Sequence, residues 1–286
     1  MPALLIAGPL ALDDHPQQAG LLGGVGGYAA MAAGPLNPTQ LWSRGGTEIK
    51  AQLQGILTRR GIDLAGVSWT GPTPRGTPEG FLPGGNLLPD IEPTDATDVG
   101  AVLLIGLPPA EMTRAIRVVQ QLPGSAERPL LISPRPDDLL DQTYRDLIGR
   151  TADVLILSVS KAQSITGTTT ALAAAEALRV DGAKAVILTA GALGGLLLYA
   201  QKVTTYPALP VPTVCKLGVS AAFPGAVAAW VAGVGRADYS TLKRACAVAS
   251  GVGGLTAQGI GPRHLLASSH GDIIERFNRL RREHKY

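Results

Sequence analysis

The stretch "AVLLIGLPPAEMTRAIRVVQQL", Ala101–Leu122, decides the fold. Its opening, 101–107, is a continuous apolar run of strand length with no polar alternation. Such a run belongs to a strand buried on both faces, as in parallel sheets covered by helices. Pro109 then opens a helix-period segment, and proline suits a first helical turn because its missing N–H has no partner there. A doubly buried strand passing straight into an amphipathic helix is half of a strand–helix–strand unit.

The same hand-over recurs outward from this point. "PLLISP" (129–134) precedes the helical pattern "DDLLDQTYRDLIGR". "ADVLILS" (152–158) precedes "TTTALAAAEALRVDG", and "AKAVILTAG" (183–191) precedes "GGLLLYA" (194–200), which pairs nearby. Upstream, "ALLIAGPLAL" (3–12) reads as a strand. "GGYAAMAAGPL" (26–36) and "TEIKAQLQGILTRRGI" (47–62) read as helices, the second ended by Gly61. The last third reads as helices at about 221–234, 239–256 and 271–284. The expected architecture is α/β: a doubly wound, mainly parallel sheet with helices on both faces. One segment, 68–98, breaks the rhythm with prolines and glycines. A long loop is uncommon inside a compact domain, so it reads as a lid-like insertion in a single domain spanning 1–286.

Bulk composition narrows the function. Hydrophobic residues make up 45% of the 286 residues and charged residues 16%, which excludes a disordered chain. Net charge is +3, and basic residues are dispersed except in the closing "RFNRLRREHKY", so no nucleic-acid partner is indicated. No apolar run free of turn residues reaches membrane-spanning length, so no membrane partner is indicated either. Cys215 and Cys246 form no CxxC pair and read as reduced thiols of a cytoplasmic protein. The four histidines lack metal-ligand spacing, and no metal ligand is assigned.

Four glycine-rich places lie where strands pass into loops. Gly23 and Gly24 open the helix at 26–36; they form a tight turn or line a small polar ligand. "LTAGALGG" (188–195) brings Thr189, Gly191 and Gly194 to a strand end, as a hairpin turn or a close approach to a ligand. "KLGVSAAFPG" (216–225) begins a helix, with Pro224 in its first turn, and unpaired amides at a helix start attract anions. "SGVGGLTAQGIGP" (250–262) borders a pocket or ends a helix. Ligands of open α/β sheets bind beyond the carboxyl ends of the strands, where the second and third places lie.

The order of these motifs resembles the ribokinase-like, PfkB-type carbohydrate kinases over most of the chain. "LLGGVGGYAAMAA" (21–33) is similar to the family's substrate-side signature. "ADVLILSVSKAQSITG" (152–167) is similar to its Asn-x-x-Glu region, and Gly218–Gly225 to its Gly-Ala-Gly-Asp signature. The resemblance implies a small β lid, reduced here, and use of ATP and Mg to phosphorylate a sugar or nucleoside hydroxyl. It implies nucleotide contacts from Thr189, Gly191, Gly194, Gly218, Val219 and Ser220, and substrate contacts from Asp13, Gly23 and Gly24.

Three departures count against that chemistry. The position of the catalytic base is Ala221, so no catalytic residue is assigned. No Asp or Glu lies between Asp181 and Asp238, and a positioned base is typically worth about 10²–10⁴ in rate. Ser220 replaces a glycine where phosphate must come close. The Asn-x-x-Glu positions are Ser158 and Lys161, and a lysine inverts the charge expected near a divalent cation. The expectation is a degenerate sugar-kinase homologue acting by binding, as scaffold, regulator or sensor. Its partners would be a sugar or nucleotide, another protein, or a second copy docked through the lid. The alternative is an active kinase with rearranged groups.

Overall fold

The computed structural model describes residues 1–77, 80–82, 87–90, 98–180 and 182–284. Its N-terminal elements are β1 (Ala3–Ala7), β2 (Ala11–His15), β3 (Gln18–Gly23), α1 (Val25–Ala33), β4 (Thr39–Gly45), α2 (Lys50–Thr58), β5 (Ile62–Asp63), β6 (Val67–Trp69), β7 (Arg75–Thr77) and β8 (Gly80–Leu82). The middle of the chain forms β9 (Val99–Ile105), α3 (Pro109–Gln121), β10 (Leu130–Ser133), α4 (Gln142–Thr151), β11 (Val154–Ser158), α5 (Val159–Thr166), α6 (Ala171–Val180), β12 (Ala185–Thr189), β13 (Gly195–Tyr199) and β14 (Lys202–Tyr206). The last third is helical: α7 (Val219–Val234), α8 (Tyr239–Ala257), α9 (Arg263–Ala267) and α10 (His270–His284).

The central sheet runs β14-β13-β12-β11-β10-β9-β1-β4-β5, with β6 also paired to β4. It is parallel from β12 to β5 and closes with the antiparallel β12-β13-β14 edge. Both faces are covered, as the unbroken apolar runs require. In β9, Ala101, Leu103 and Ile105 pack on the side of α1, α7 and α8, while Val102 and Leu104 pack on the side of α3, α4 and α6. No helix among the described residues is long and apolar enough to cross a membrane.

A second sheet, β3-β2-β7-β8, stands apart from the first. The 3–12 stretch is therefore two strands rather than one. It ends in the central sheet at Ala7 and re-enters at Ala11 in the second, where Leu12 and Asp13 pair with Arg75 and Gly76. The lid-like segment 68–98 contributes β7 and β8 to that sheet, and 11–23 contributes β2 and β3. Positions 78, 79, 83–86 and 91–97 of the segment lie outside the described residues.

Two helices differ from the sequence reading in detail. Pro224 stands in the second turn of α7, not the first. The N–H it lacks leaves the Ser220 carbonyl without its helical donor. Helix α8 does not break at its glycines but runs on to Ala257. Gly251 lies under the Arg276 side chain of α10, and Gly254 lies under Leu209, so these glycines give close packing inside the helix.

Candidate functional site

Backbone contact between α1 and α7 builds the site. A Cβ on Gly225 would overlap the backbone of Ala29, and one on Gly26 would overlap the backbone of Gly8. The two helices and the end of β1 therefore meet without intervening side chains. Their first turns, carrying Gly24 and Gly218, fall at one corner.

Gly218 caps α7 in the left-handed region, at φ 80° and ψ −12°. Its carbonyl accepts from the amides of Ala221 (3.1 Å) and Ala222 (2.8 Å), and the Val219 amide donates to Lys216 (3.3 Å). The amides of Gly218 and Ser220 donate to no group among the described residues. Two free amides at a helix start, one of them on a left-handed residue, suit an anion. Ala221, one turn in, is 1% exposed and belongs to the hydrophobic core.

Facing this turn is the ring of Tyr28, which a Cβ on Gly218 would overlap. The other edge of the ring passes Gly23, where a built Cβ would stand 3.0 Å from Tyr28 Cε2 and would overlap the Asp13 carboxylate. Asp13, Gly23, Tyr28 and Gly218 thus form one contiguous corner. Asp13 is buried and accepts from the Gly24 amide at 3.2 Å. Burial pushes its carboxyl pKa up, the Gly24 bond opposes this, and Asp14 adds to it. The Tyr28 hydroxyl is buried with no hydrogen-bond partner, and burial, Asp13 and Cys215 all push its pKa up.

Other site residues named from sequence fall into three groups. Thr189 and Ser158 end the adjacent parallel strands β12 and β11 in register. The Thr189 hydroxyl donates to the Leu157 carbonyl at 3.4 Å, while the Ser158 side chain accepts from the Lys161 amide as the cap of α5. Gly191 and Gly194 lie in the turn from β12 to β13. Gly194, at φ 87°, has no room for a side chain beside the Tyr206 carbonyl, whereas Gly191 faces open space. Val219 and Ser220 form the first turn of α7. The Lys161 ammonium is held at 3.0 Å by Asp137. Among the described residues no three His, Cys, Asp or Glu side chains are grouped to hold a metal.

Tyr28 was missed as a site residue from sequence. Its signal was that "VGGYAAMAA" holds a single polar-tipped aromatic side chain among residues chosen for smallness.

The sequence pattern of the pfkB family carbohydrate kinases matches residues 49–268, and the chain belongs to that family. No curated protein sequence matches it. Solved structures share the fold at low identity. Aminoimidazole riboside kinase from Salmonella enterica, complexed with aminoimidazole riboside and an ATP analog, is similar at TM-score 0.80 and 16% identity, over 96% of this chain and 99% of that one. Fructokinase from Vibrio cholerae O395, bound to fructose, ADP and calcium, is similar at TM-score 0.77 and 18% identity, over 97% and 99%. Ribokinase from Arabidopsis thaliana, complexed with ribose and ATP, is similar at TM-score 0.72 and 18% identity, over 96% and 98%.

Proposed function

We propose that this PfkB-family chain acts by binding a sugar or nucleotide rather than by transferring a phosphoryl group. The observation that supports this most directly is Ala221. By the motif likeness it aligns with the family's base, and it is buried in the core at the start of α7. A methyl group accepts no proton, and a positioned base is typically worth about 10²–10⁴ in rate.

The electrostatics agree. Phosphoryl transfer relies on positioned cations and donors around the phosphates. The free amides of Gly218 and Ser220 fit a nucleotide phosphate. By the motif likeness the residue aligned with the family's metal-organising acid is Lys161, a cation that pairs with Asp137 at 3.0 Å and would oppose a divalent cation brought to it. ATP binding without Mg-dependent turnover is the behaviour this donor set supports. Such a chain would serve as a cytoplasmic sensor, regulator or scaffold, with a protein partner or a second copy docked through the β2-β3-β7-β8 sheet.

A second reading rests on Asp13. Its buried carboxyl, with a raised pKa, belongs to the corner shared by Tyr28 and Gly218. In that reading Asp13 takes the hydroxyl proton, and the chain is an active carbohydrate or nucleoside kinase.

Calorimetry with ATP, with and without Mg²⁺, alongside an ADP-release assay on a panel of sugars and nucleosides, separates the two. Nucleotide binding with no turnover is expected. Turnover of any alcohol that disappears in Asp13→Asn would overturn the binding-only reading. The triple variant Ala221→Asp, Ser220→Gly, Lys161→Glu is expected to gain ATP hydrolysis.

A further inference from the structure

At the far end of α7 the surface has a hollow of about 530 Å³. At about 1.5 Å of rise per residue, Trp230 stands about 18 Å along the helix from Gly218, so the hollow is separate from the phosphate-accepting turn. Three aromatic side chains line it: Trp230 of α7, Tyr239 at the start of α8, and Phe277 of α10. Trp230 and Phe277 are tilted rings 6.0 Å apart. Tyr239 lies 6.4 Å from the Tyr199 ring, with the Lys202 ammonium 5.3 Å from its own ring.

The rest of the lining is Ser240, Lys243, Arg244 and Arg281, and no carboxylate is among it. The nearest acid in sequence, Asp238, is already committed: it caps α8 through the Thr241 amide at 2.8 Å and pairs with Arg236 at 2.7 Å. Arg281 lies 5.8 Å from the Phe277 ring. Neither Arg244 nor Arg281 makes a hydrogen bond or ion pair among the described residues. The hollow therefore combines aromatic walls with the unpaired guanidinium groups of Arg244 and Arg281.

We propose that this hollow is a second ligand site, taking a small aromatic ring that bears an anionic group. The ring lies against Trp230 and Tyr239, and the anion is held by the guanidinium groups of Arg244 and Arg281. An aromatic face offers stacking to any planar ring, and guanidinium forks match phosphate and carboxylate oxygens in two-point hydrogen bonds. Neither half of the hollow suffices alone. A bare anion forgoes the rings, and a neutral ring leaves both cations unpaired.

Isothermal titration of the full chain with AMP, benzoate, adenosine and ribose 5-phosphate tests this, with tryptophan emission as a local readout. AMP or benzoate is expected to bind at least about tenfold tighter than adenosine and ribose 5-phosphate, a difference of about 1.4 kcal/mol. Which of the two binds distinguishes a phosphate from a carboxylate as the anion. The double variant Arg244→Gln, Arg281→Gln, folded by circular dichroism, is expected to lose that affinity. The emission change is expected to vanish in Trp230→Phe. Binding of AMP that these variants leave unaltered would place the nucleotide at the Gly218 turn and overturn the proposal. So would no binding of either anion, or a dimer in sedimentation that the arginine variant dissolves. A turnover result at the Gly218 corner bears only on the family site and leaves this test independent.

Discussion

The Tyr28 ring lies directly against Gly218, so the first turn of α1 closes over the helix start that would receive a phosphate. Its hydroxyl is buried without a partner. An unsatisfied buried hydroxyl costs about 1–3 kcal/mol, so Tyr28→Phe is expected to raise stability by about 1 kcal/mol in urea titration. A drop in stability would mean that the hydroxyl has a partner.

Gly218 has no room for a side chain, and its left-handed backbone penalises any other residue. Gly218→Ala is expected to destabilise the chain by about 2 kcal/mol or more, from backbone strain plus displacement of Tyr28. The companion variant Gly191→Ala has the same backbone sign but open space around it, so it should pay only the backbone share.

Asp13 gives a pH dependence with a definite sign. Its folded pKa is raised above the ordinary 3.8, so the folded state holds this proton more tightly than the unfolded chain does. Its contribution is therefore most favourable in acid and is lost as pH rises from about 4 through the folded pKa. Asp13→Asn removes the buried charge. It should be more stable than wild type at neutral pH, with the difference shrinking below about pH 4 in thermal melts.

Ala221→Asp alone places a carboxyl in the core. At neutral pH it is expected to lose about 3 kcal/mol or more, recovering on acidification as the buried acid takes up its proton. A variant as stable as wild type at pH 7 would show that the space beside Gly218 is open to water.

Arg60 sets a separate test of the frame. Its guanidinium donates to the carbonyls of Met31 (3.1 Å), Leu266 (2.8 Å) and Ser268 (2.9 Å), and burial lowers its pKa to about 10. It ties the end of α1 to the last turn of α9 and the residue that follows it. Arg60→Met leaves those carbonyls unpaired and should cost about 3 kcal/mol in denaturant unfolding.

Much of the fold was legible because doubly buried parallel strands write themselves as unbroken apolar runs. Strands β9, β10, β11 and β12 were read this way, each followed by its helix or hairpin. Strand β4 was not, because "TQLWSRG" interleaves polar residues. Its Ser43 is buried and accepts from the Leu10 amide at 2.9 Å, and the Thr39 hydroxyl donates to the Asn37 carbonyl at 2.9 Å. Those hydrogen bonds let polar side chains occupy a core strand, and no periodicity reveals them. Strands β2 and β3 were hidden for a related reason. In "ALDDH" two aspartates follow the end of the 3–12 run, and the buried Asp13 is accommodated in the strand by accepting from the Gly24 amide.

In the candidate site, Ala221, Ser220 and Lys161 could be set against the family's motifs from sequence because each is a single residue in an ordered motif. The Asp13–Tyr28–Gly218 corner was not, since its members are far apart in sequence and meet only when α1 and α7 pack.

Main chain rests on main chain where Gly26 meets Gly8 and Gly225 meets Ala29. Spacing fixed in that way is indifferent to what the neighbouring side chains are. The dimensions of the corner therefore tolerate substitutions in the side chains that line it, because the scaffold is set by backbone touching backbone.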